Sequence, residues 1–152
     1  AIRKALALLD EPFFVLYGDS YLPCDYTEIQ THFDRHAHSG LMTVYRNQSQ
    51  WDISNVEMVD GKILDYDKKK KTPRMLYIDY GLGLFQPKVF LPLAEGQPIE
   101  LANIYQRLVS TQELLAYEVK QRFYEIGSFE GLRELGELLT RNPNQFLKKE
   151  KS

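Results

Sequence analysis

The sequence predicts an α/β domain on three observations. Helix and strand patterns alternate through its first half, a continuous apolar run reads as a buried strand, and an Asp-Gly pair joins two short apolar segments. The opening run AIRKALALLDE consists of strong helix formers with Ile2, Leu6 and Leu9 on one stripe, and Pro12 ends it. No Ser, Thr, Asp or Asn stands ahead to cap it, so it reads as a helix entered partway. Phe13 to Tyr17 (FFVLY) is apolar throughout and is stopped by Gly18-Asp19, the pattern of a strand buried on both faces in a parallel, helix-covered sheet. Asp25 with Glu28 three residues on predicts a capped helix from Tyr26 to about His38, ended by Gly40. Leu41 to Tyr45 is the next strand.

Beyond a polar stretch, Val56 to Val59 and Lys62 to Tyr66 flank Asp60-Gly61, a type I′ hairpin signal. The charged break Lys68 to Pro73 precedes an apolar strand from Leu76 to Phe85. Gly81 and Gly83 inside it predict a bulge or a close backbone approach. Pro87 to Leu93 reads as a short helix, Ala94 to Pro98 as a loop, and Leu101 to Ser110 as an amphipathic helix. A strand from Leu114 to Val119 and a helix from Phe129 to about Leu139 follow, before a polar tail at 141–152 that is expected to fray. No internal repeat or low-complexity linker divides the chain, so a single domain is expected.

Composition narrows the function. Over 152 residues, 19 Lys and Arg stand against 21 Asp and Glu, which leaves no basic field for a nucleic-acid backbone. No apolar stretch approaches the roughly 18 residues of a membrane span, and the N-terminus lacks a secretory pattern, so the default expectation is cytoplasmic. Cys24, the sole cysteine, excludes an internal disulfide and reads as structural.

Two acids stand where chemistry is expected. Asp19 follows the first apolar strand, and Glu125 in FYEIGS emerges from another just before a glycine turn and a helix start. Two carboxylates on neighbouring strand ends suit Mg²⁺ bound through triphosphate oxygens. Singly, Asp19 could equally cap its own turn and Glu125 could be a surface or capping acid.

Five segments in order resemble the sugar-phosphate nucleotidyltransferases, especially the heptose 1-phosphate and mannose 1-phosphate guanylyltransferase-like members. They are FFVLYGDSYL, SNVEMVDGKILDYDKK, YIDYGLGLF, ELLAYEV and FYEIGSFEGL, spread from Phe13 to Leu132. The resemblance implies a Rossmann-like mixed sheet flanked by helices, with residues 1–140 matching the C-terminal portion of that domain. It implies Mg²⁺ held by Asp19 and Glu125, catalytic roles for Asp19 and Lys68, and substrate contacts from Gly18, Asp79 and Gly81. The substrates it implies are a nucleoside triphosphate and a sugar 1-phosphate. Asp67 replaces the family's Glu before the lysine, and Lys69, Lys70 and Lys71 follow, so the register of Lys68 is open by one.

The family's opening glycine-rich loop, which cradles the triphosphate, has no counterpart in these residues. The resemblance therefore implies a fragment, associating with a missing N-terminal segment or forming a homo-oligomer, and inactive alone. The alternative is a non-catalytic interaction or regulatory remnant of the fold. His32, His36 and His38 lie close enough on one predicted helix to raise a zinc site, but no third ligand has a clear position and a solvated face is the plainer expectation.

Overall fold

The computed structural model describes residues 2–50, 52–93 and 100–141. Helix α1 spans Ile2–Ala5 and passes into a 3₁₀ turn at Leu6–Leu8, so the first helix is shorter than its composition predicts. The helix and turn rest on tertiary contacts, with Ile2 of α1 packed against the core in which Leu6 of the turn is buried. Strands β1 (Phe13–Leu16) and β2 (Ser20–Tyr21) precede helix α2 (Tyr26–Asp34). The Asp25 cap forms as expected: its Oδ1 accepts from the N–H groups of Thr27 and Glu28 at 2.9 and 3.0 Å. The helix stops at Asp34, four residues short of the expected end, because the chain turns there with the N–H of His36 bonding the carbonyl of Phe33.

Strand β3 (Gly40–Arg46) is followed by the hairpin of β4 (Val56–Val59) and β5 (Lys62–Tyr66). Asp60 and Gly61 both take positive φ, 50° and 75°, as a type I′ turn requires. The long strand β6 (Tyr77–Phe85) leads to a 3₁₀ turn at Pro87–Phe90. Helix α3 (Leu101–Ser110), strand β7 (Leu114–Val119), strand β8 (Tyr124–Glu125) and helix α4 (Phe129–Arg141) complete the order. Arg141, expected in the polar tail, ends α4; the expected loop at 94–98 and the rest of the tail lie outside the described residues.

The main sheet is mixed, in the order β5-β4-β6-β3-β7, with β1 also beside β6. Only β3 and β7 pair in parallel among the described strands; β6 is antiparallel to β1, β3 and β4. The expectation of a parallel, doubly buried first strand is thus corrected. Phe13 and Val15 pack on one side of the sheet and Phe14 on the other, but β1 borders β6 alone and Leu16 is 50% exposed. An apolar run signals contact with two faces and carries no information on whether both edges are paired. Burial on both faces does hold for β6, an antiparallel strand, which is buried from Ile78 to Phe85.

Alternation along the central strands builds two cores. Met42, Val44 and Phe85 face Ile104, Tyr105 and Leu108 of α3, while Leu41, Tyr80, Leu82 and Leu84 face Ile29 and Phe33 of α2. The sheet curls so that β5 and β7, at its two ends, approach each other beside α3.

The two glycines of β6 serve different ends, and Gly83 is the close approach. A Cβ there would lie 2.6 Å from Cε2 of Phe85 and inside contact distance of the Tyr105 hydroxyl. Gly83→Ala should therefore lower the unfolding free energy by about 1–3 kcal/mol through overpacking. Gly136→Ala, on an open face of α4, should raise it by up to about 1 kcal/mol. Guanidinium unfolding followed by circular dichroism measures both, and equal effects at the two positions would contradict the packing described.

Candidate active site

The site begins where β1 leaves the sheet. The N–H of Tyr17 donates to the carbonyl of Gly81 at 3.0 Å, which lays the Tyr17 ring along β6. Strand β6 is irregular there: Met42 pairs with Gly83 and Val44 with Asp79, so Tyr80, Gly81 and Leu82 together oppose Thr43. Thr43 Oγ1 donates to the Leu82 carbonyl at 2.6 Å and closes the bulge from the β3 side. Gly81 has φ +93°, and a Cβ on it would lie 3.1 Å from the Tyr17 ring. Its lack of a side chain makes room for Tyr17.

The bulge turns Asp79 inward, where it is 7% exposed. Its Oδ2 accepts from the hydroxyls of Tyr17 at 2.7 Å and Tyr66 at 3.0 Å, and its Oδ1 accepts from the N–H of Gly81 at 3.0 Å. The backbone N–H of Asp79 donates to Asn55 Oδ1 at 2.9 Å. A carboxylate has about four acceptor sites, so Asp79 keeps about one for a ligand. Burial first, and then the Asp79 charge, push the phenols of Tyr17 and Tyr66 above their ordinary range, so both stay neutral donors.

Lys68 lies within a turn built by Asp67, whose Oδ1 accepts from the N–H groups of Lys69 and Lys70 at 2.7 and 2.9 Å. Those bonds hold the Asp67 carboxyl below its usual range. Lys68 Nζ lies 3.4 Å from Tyr17 Oη and 4.8 Å from the centroid of its ring.

Asp19 and Glu125 meet differently from the sequence expectation. They do not stand at the ends of main-sheet strands; the separate two-stranded ladder of β2 and β8 joins them, with Ser20 opposite Glu125. The N–H of Ile126 donates to the Asp19 carbonyl at 2.8 Å, and Gly127 sits between the two side chains, next to Glu125 Oε1 and Asp19 Cβ. Glu125 also caps the following turn: Oε1 accepts from the Gly127 N–H and Oε2 from Ser128 Oγ at 2.5 Å. Arg122 braces this corner, its guanidinium 4.5 Å from the Tyr124 ring centroid and 2.7 Å from Glu134 of α4.

Tyr17, Asp19, Asn55, Lys68, Asp79, Tyr80, Gly81, Phe123 and Glu125 line one open cavity of about 330 Å³, with Asp52 and Ile53 at its edge. Gly18 borders the adjoining shallow pocket with Tyr17, Asp19 and Lys68. Of the four consecutive lysines, Lys68 alone is among the lining residues. All six residues marked in the sequence thus fall on this cavity or its rim. Tyr17, Tyr66 and Asn55 were missed: Tyr17 reads as the last residue of an apolar strand, Tyr66 as hairpin core, and Asn55 carries no local signal.

The histidines gather elsewhere. His32 and His36 have ring centroids 4.6 Å apart, and His32 packs edge-on against Tyr117, so it is half-buried where a solvated face was expected. Among the described residues no group of three or more His, Cys, Asp and Glu assembles as a metal cluster. Cys24 is half-buried and its thiol is pushed up to about 11, mainly by burial, which leaves little thiolate near neutral pH.

Among the described residues, no helix is long and apolar enough to cross a membrane. No protein-family model and no curated protein matches the chain. Solved structures do match in fold. A Bacillus anthracis protein assigned as a glucose-1-phosphate thymidylyltransferase, solved with sucrose, superposes with a TM-score of 0.78 at 17% identity, over 90% of this chain and 58% of its own. An apo UDP-glucose pyrophosphorylase superposes with a TM-score of 0.65 at 17% identity, over 93% of this chain and 59% of its own. The chain has the nucleotidyltransferase fold and spans under three-fifths of the length of these neighbours.

The buried phenols set an alkaline limit. Tyr17, Tyr66, Tyr80 and Tyr105 are all pushed upward, by burial first, so the folded chain keeps their protons to higher pH than the unfolded chain, whose tyrosines ionise near pH 10. Above about pH 10 the folded state binds more protons than the unfolded, and stability falls as pH rises. The guanidinium midpoint should decline above about pH 10, and less steeply in Tyr66→Phe. A midpoint of unchanged slope in the variant would exclude Tyr66 as a contributor.

Proposed function

We propose that this chain carries the sugar-phosphate side of a nucleotidyl transfer site, in which a sugar 1-phosphate and a nucleoside triphosphate give a nucleotide sugar and pyrophosphate. The observation that carries this reading is convergence. Asp19, Lys68, Asp79 and Glu125, far apart in sequence, line one cavity on a fold like that of sugar-phosphate nucleotidyltransferases.

The donor set fits Mg²⁺, which is commonly held by one or two carboxylates with substrate phosphates and water completing its shell. Asp19 and Glu125 would hold it; Glu125 keeps acceptor capacity beyond its two cap bonds. Bound there, the ion would neutralise charge on the reacting phosphate. Lys68 would attract the phosphate of the sugar ester, and the remaining acceptor site of Asp79 would receive a sugar hydroxyl. The phosphate oxygen of the sugar ester attacks the α-phosphorus, the bond to pyrophosphate breaks, and no side chain need act as nucleophile. Alignment and charge placement supply the catalysis.

The more specific reading is guanylyl transfer to a heptose or mannose 1-phosphate, supported by the five-segment resemblance. No glycine-rich loop occurs within these 152 residues, so none of them is assigned to the triphosphate or the base. The edge of β1 away from β6 is unpaired among the described strands, and it offers backbone groups to a further strand or to a second copy. The missing loop also favours the rival, a non-catalytic remnant.

Calorimetry of this chain with mannose, heptose and glucose 1-phosphates should show Mg²⁺-dependent binding that Asp19→Asn abolishes. Pyrophosphate release should require a longer chain that carries the glycine loop. In that chain Asp19→Asn should cost on the order of a hundredfold in turnover, the scale of losing one preorganised charge-stabilising group. Absence of sugar phosphate binding here and of turnover in the longer chain would establish the remnant instead.

A further inference from the structure

We infer that Tyr17 is a positioning residue that selects Lys68, out of four consecutive lysines, as the cation presented to the phosphate of the ligand. The inference rests on the sugar-phosphate reading of the cavity. The resemblance points to Lys68 with its register open by one, nothing in the lysine run itself fixes that choice, and each ammonium rides on a flexible stem with about 2 kcal/mol of rotamer entropy. Something must restrict one of them if it is to meet a ligand in a fixed place.

Tyr17 supplies that restriction in two ways. Its hydroxyl oxygen lies 3.4 Å from Lys68 Nζ, and its ring face lies 4.8 Å from the same ammonium, within cation–π range. The ring is itself fixed at three points. Its backbone N–H holds the Gly81 carbonyl, its ring rests where Gly81 lacks a side chain, and its hydroxyl donates to Asp79. Asp79 is held in turn by Tyr66 and by the N–H of Gly81. Because the Tyr17 proton goes to Asp79, the lone pairs of its oxygen are left to accept from Lys68. The order Tyr66, Asp79, Tyr17, Lys68 therefore has a defined direction of donation at every step: both phenols donate to Asp79, and the ammonium donates to Tyr17.

The chemistry of the partner matters as much as its place. A carboxylate beside Lys68 would orient the ammonium but cancel its charge. Tyr17 is a neutral acceptor, kept protonated by burial and by Asp79, so it orients Lys68 without supplying a counter-ion. Two of the three ammonium protons remain for phosphate oxygens.

The test uses the whole chain in two forms: unmodified, for the affinity of mannose 1-phosphate by calorimetry, and with its lysines reductively methylated with ¹³C-formaldehyde, which preserves their charge but leaves one N–H each, for the ring-current shift alone. One dimethyl-lysine resonance should be shifted upfield by the Tyr17 ring current, and Lys68→Arg should remove it. Tyr17→Leu should abolish the upfield shift and weaken mannose 1-phosphate by about tenfold. Tyr17→Phe should keep most of the shift and weaken binding by about threefold, through loss of the hydroxyl alone. Tyr66→Phe, which loses a bond to the same Asp79, controls for lost stability and should keep the Lys68 shift. Absence of any upfield lysine signal, or Tyr17→Leu with unchanged signal and affinity, would overturn the inference. A Lys68 signal that follows Tyr17 in a chain whose unmodified form binds no sugar 1-phosphate would support the positioning and overturn the sugar-phosphate reading.

Discussion

The Asp79 carboxylate is the point on which the cavity depends. It receives Tyr17 from the end of β1, Tyr66 from the end of β5 and Gly81 from its own strand, while its backbone is pinned by Asn55. Three separate parts of the chain are thereby tied to one buried charge. Taking a carboxylate out of water costs several kcal/mol, and each hydrogen bond to a charged group contributes about 1.5–3 kcal/mol, so three donors roughly offset the cost. The arrangement holds as a set. An Asp79 with fewer donors would be a buried charge in debt to solvent, and the tyrosines without Asp79 would be buried hydroxyls lacking an acceptor.

That constraint accounts for the irregularity of β6. A regular strand would alternate its side chains between the two cores, and Asp79 would have no intramolecular donor from Gly81. Placing Tyr80, Gly81 and Leu82 opposite a single residue of β3 bends the strand and turns the Gly81 N–H toward the carboxylate two residues earlier. Positive φ at Gly81 strains any larger residue, and the Tyr17 ring 3.1 Å from where a Cβ would lie would have to give way to it. The bulge and the carboxylate therefore require each other.

Local patterns in the sequence predicted the local structure well. The Asp60-Gly61 hairpin, α3 and β7 lie where turn chemistry and periodicity place them, and the paired glycines of β6 proved to be one bulge and one close approach. Non-local relations were harder to read. The apolar run of β1 told of contacts on two faces but not of its open edge or its antiparallel partner. Asp19 and Glu125 were recognisable as a pair, while the β2–β8 ladder that joins them is two residues per strand, too short to leave a period. Tyr17 and Tyr66 looked like ordinary core aromatics because their part in the site lies in one hydroxyl each, and that depends on where a distant carboxylate folds.

The two ends of the cavity are held in different ways, and this bears on how such a site can work. The Tyr17–Asp79 side is anchored in the main sheet and backed by the α3 core through Tyr66, with Lys68 reaching it from an exposed turn. The Asp19–Glu125 side rests on the small ladder and on the start of α4, where Glu125 divides its oxygens between the cavity and the cap of the following turn. A ligand drawing on Glu125 competes with, or shares, the Gly127 and Ser128 donors. Ser128 Oγ also accepts from the N–H of Gly131 in α4, so any demand on the carboxylate is felt at that helix. On the proposed reading, the side anchored in the main sheet would recognise the ester of the sugar phosphate, and the side on the small ladder would meet the charge that changes during reaction.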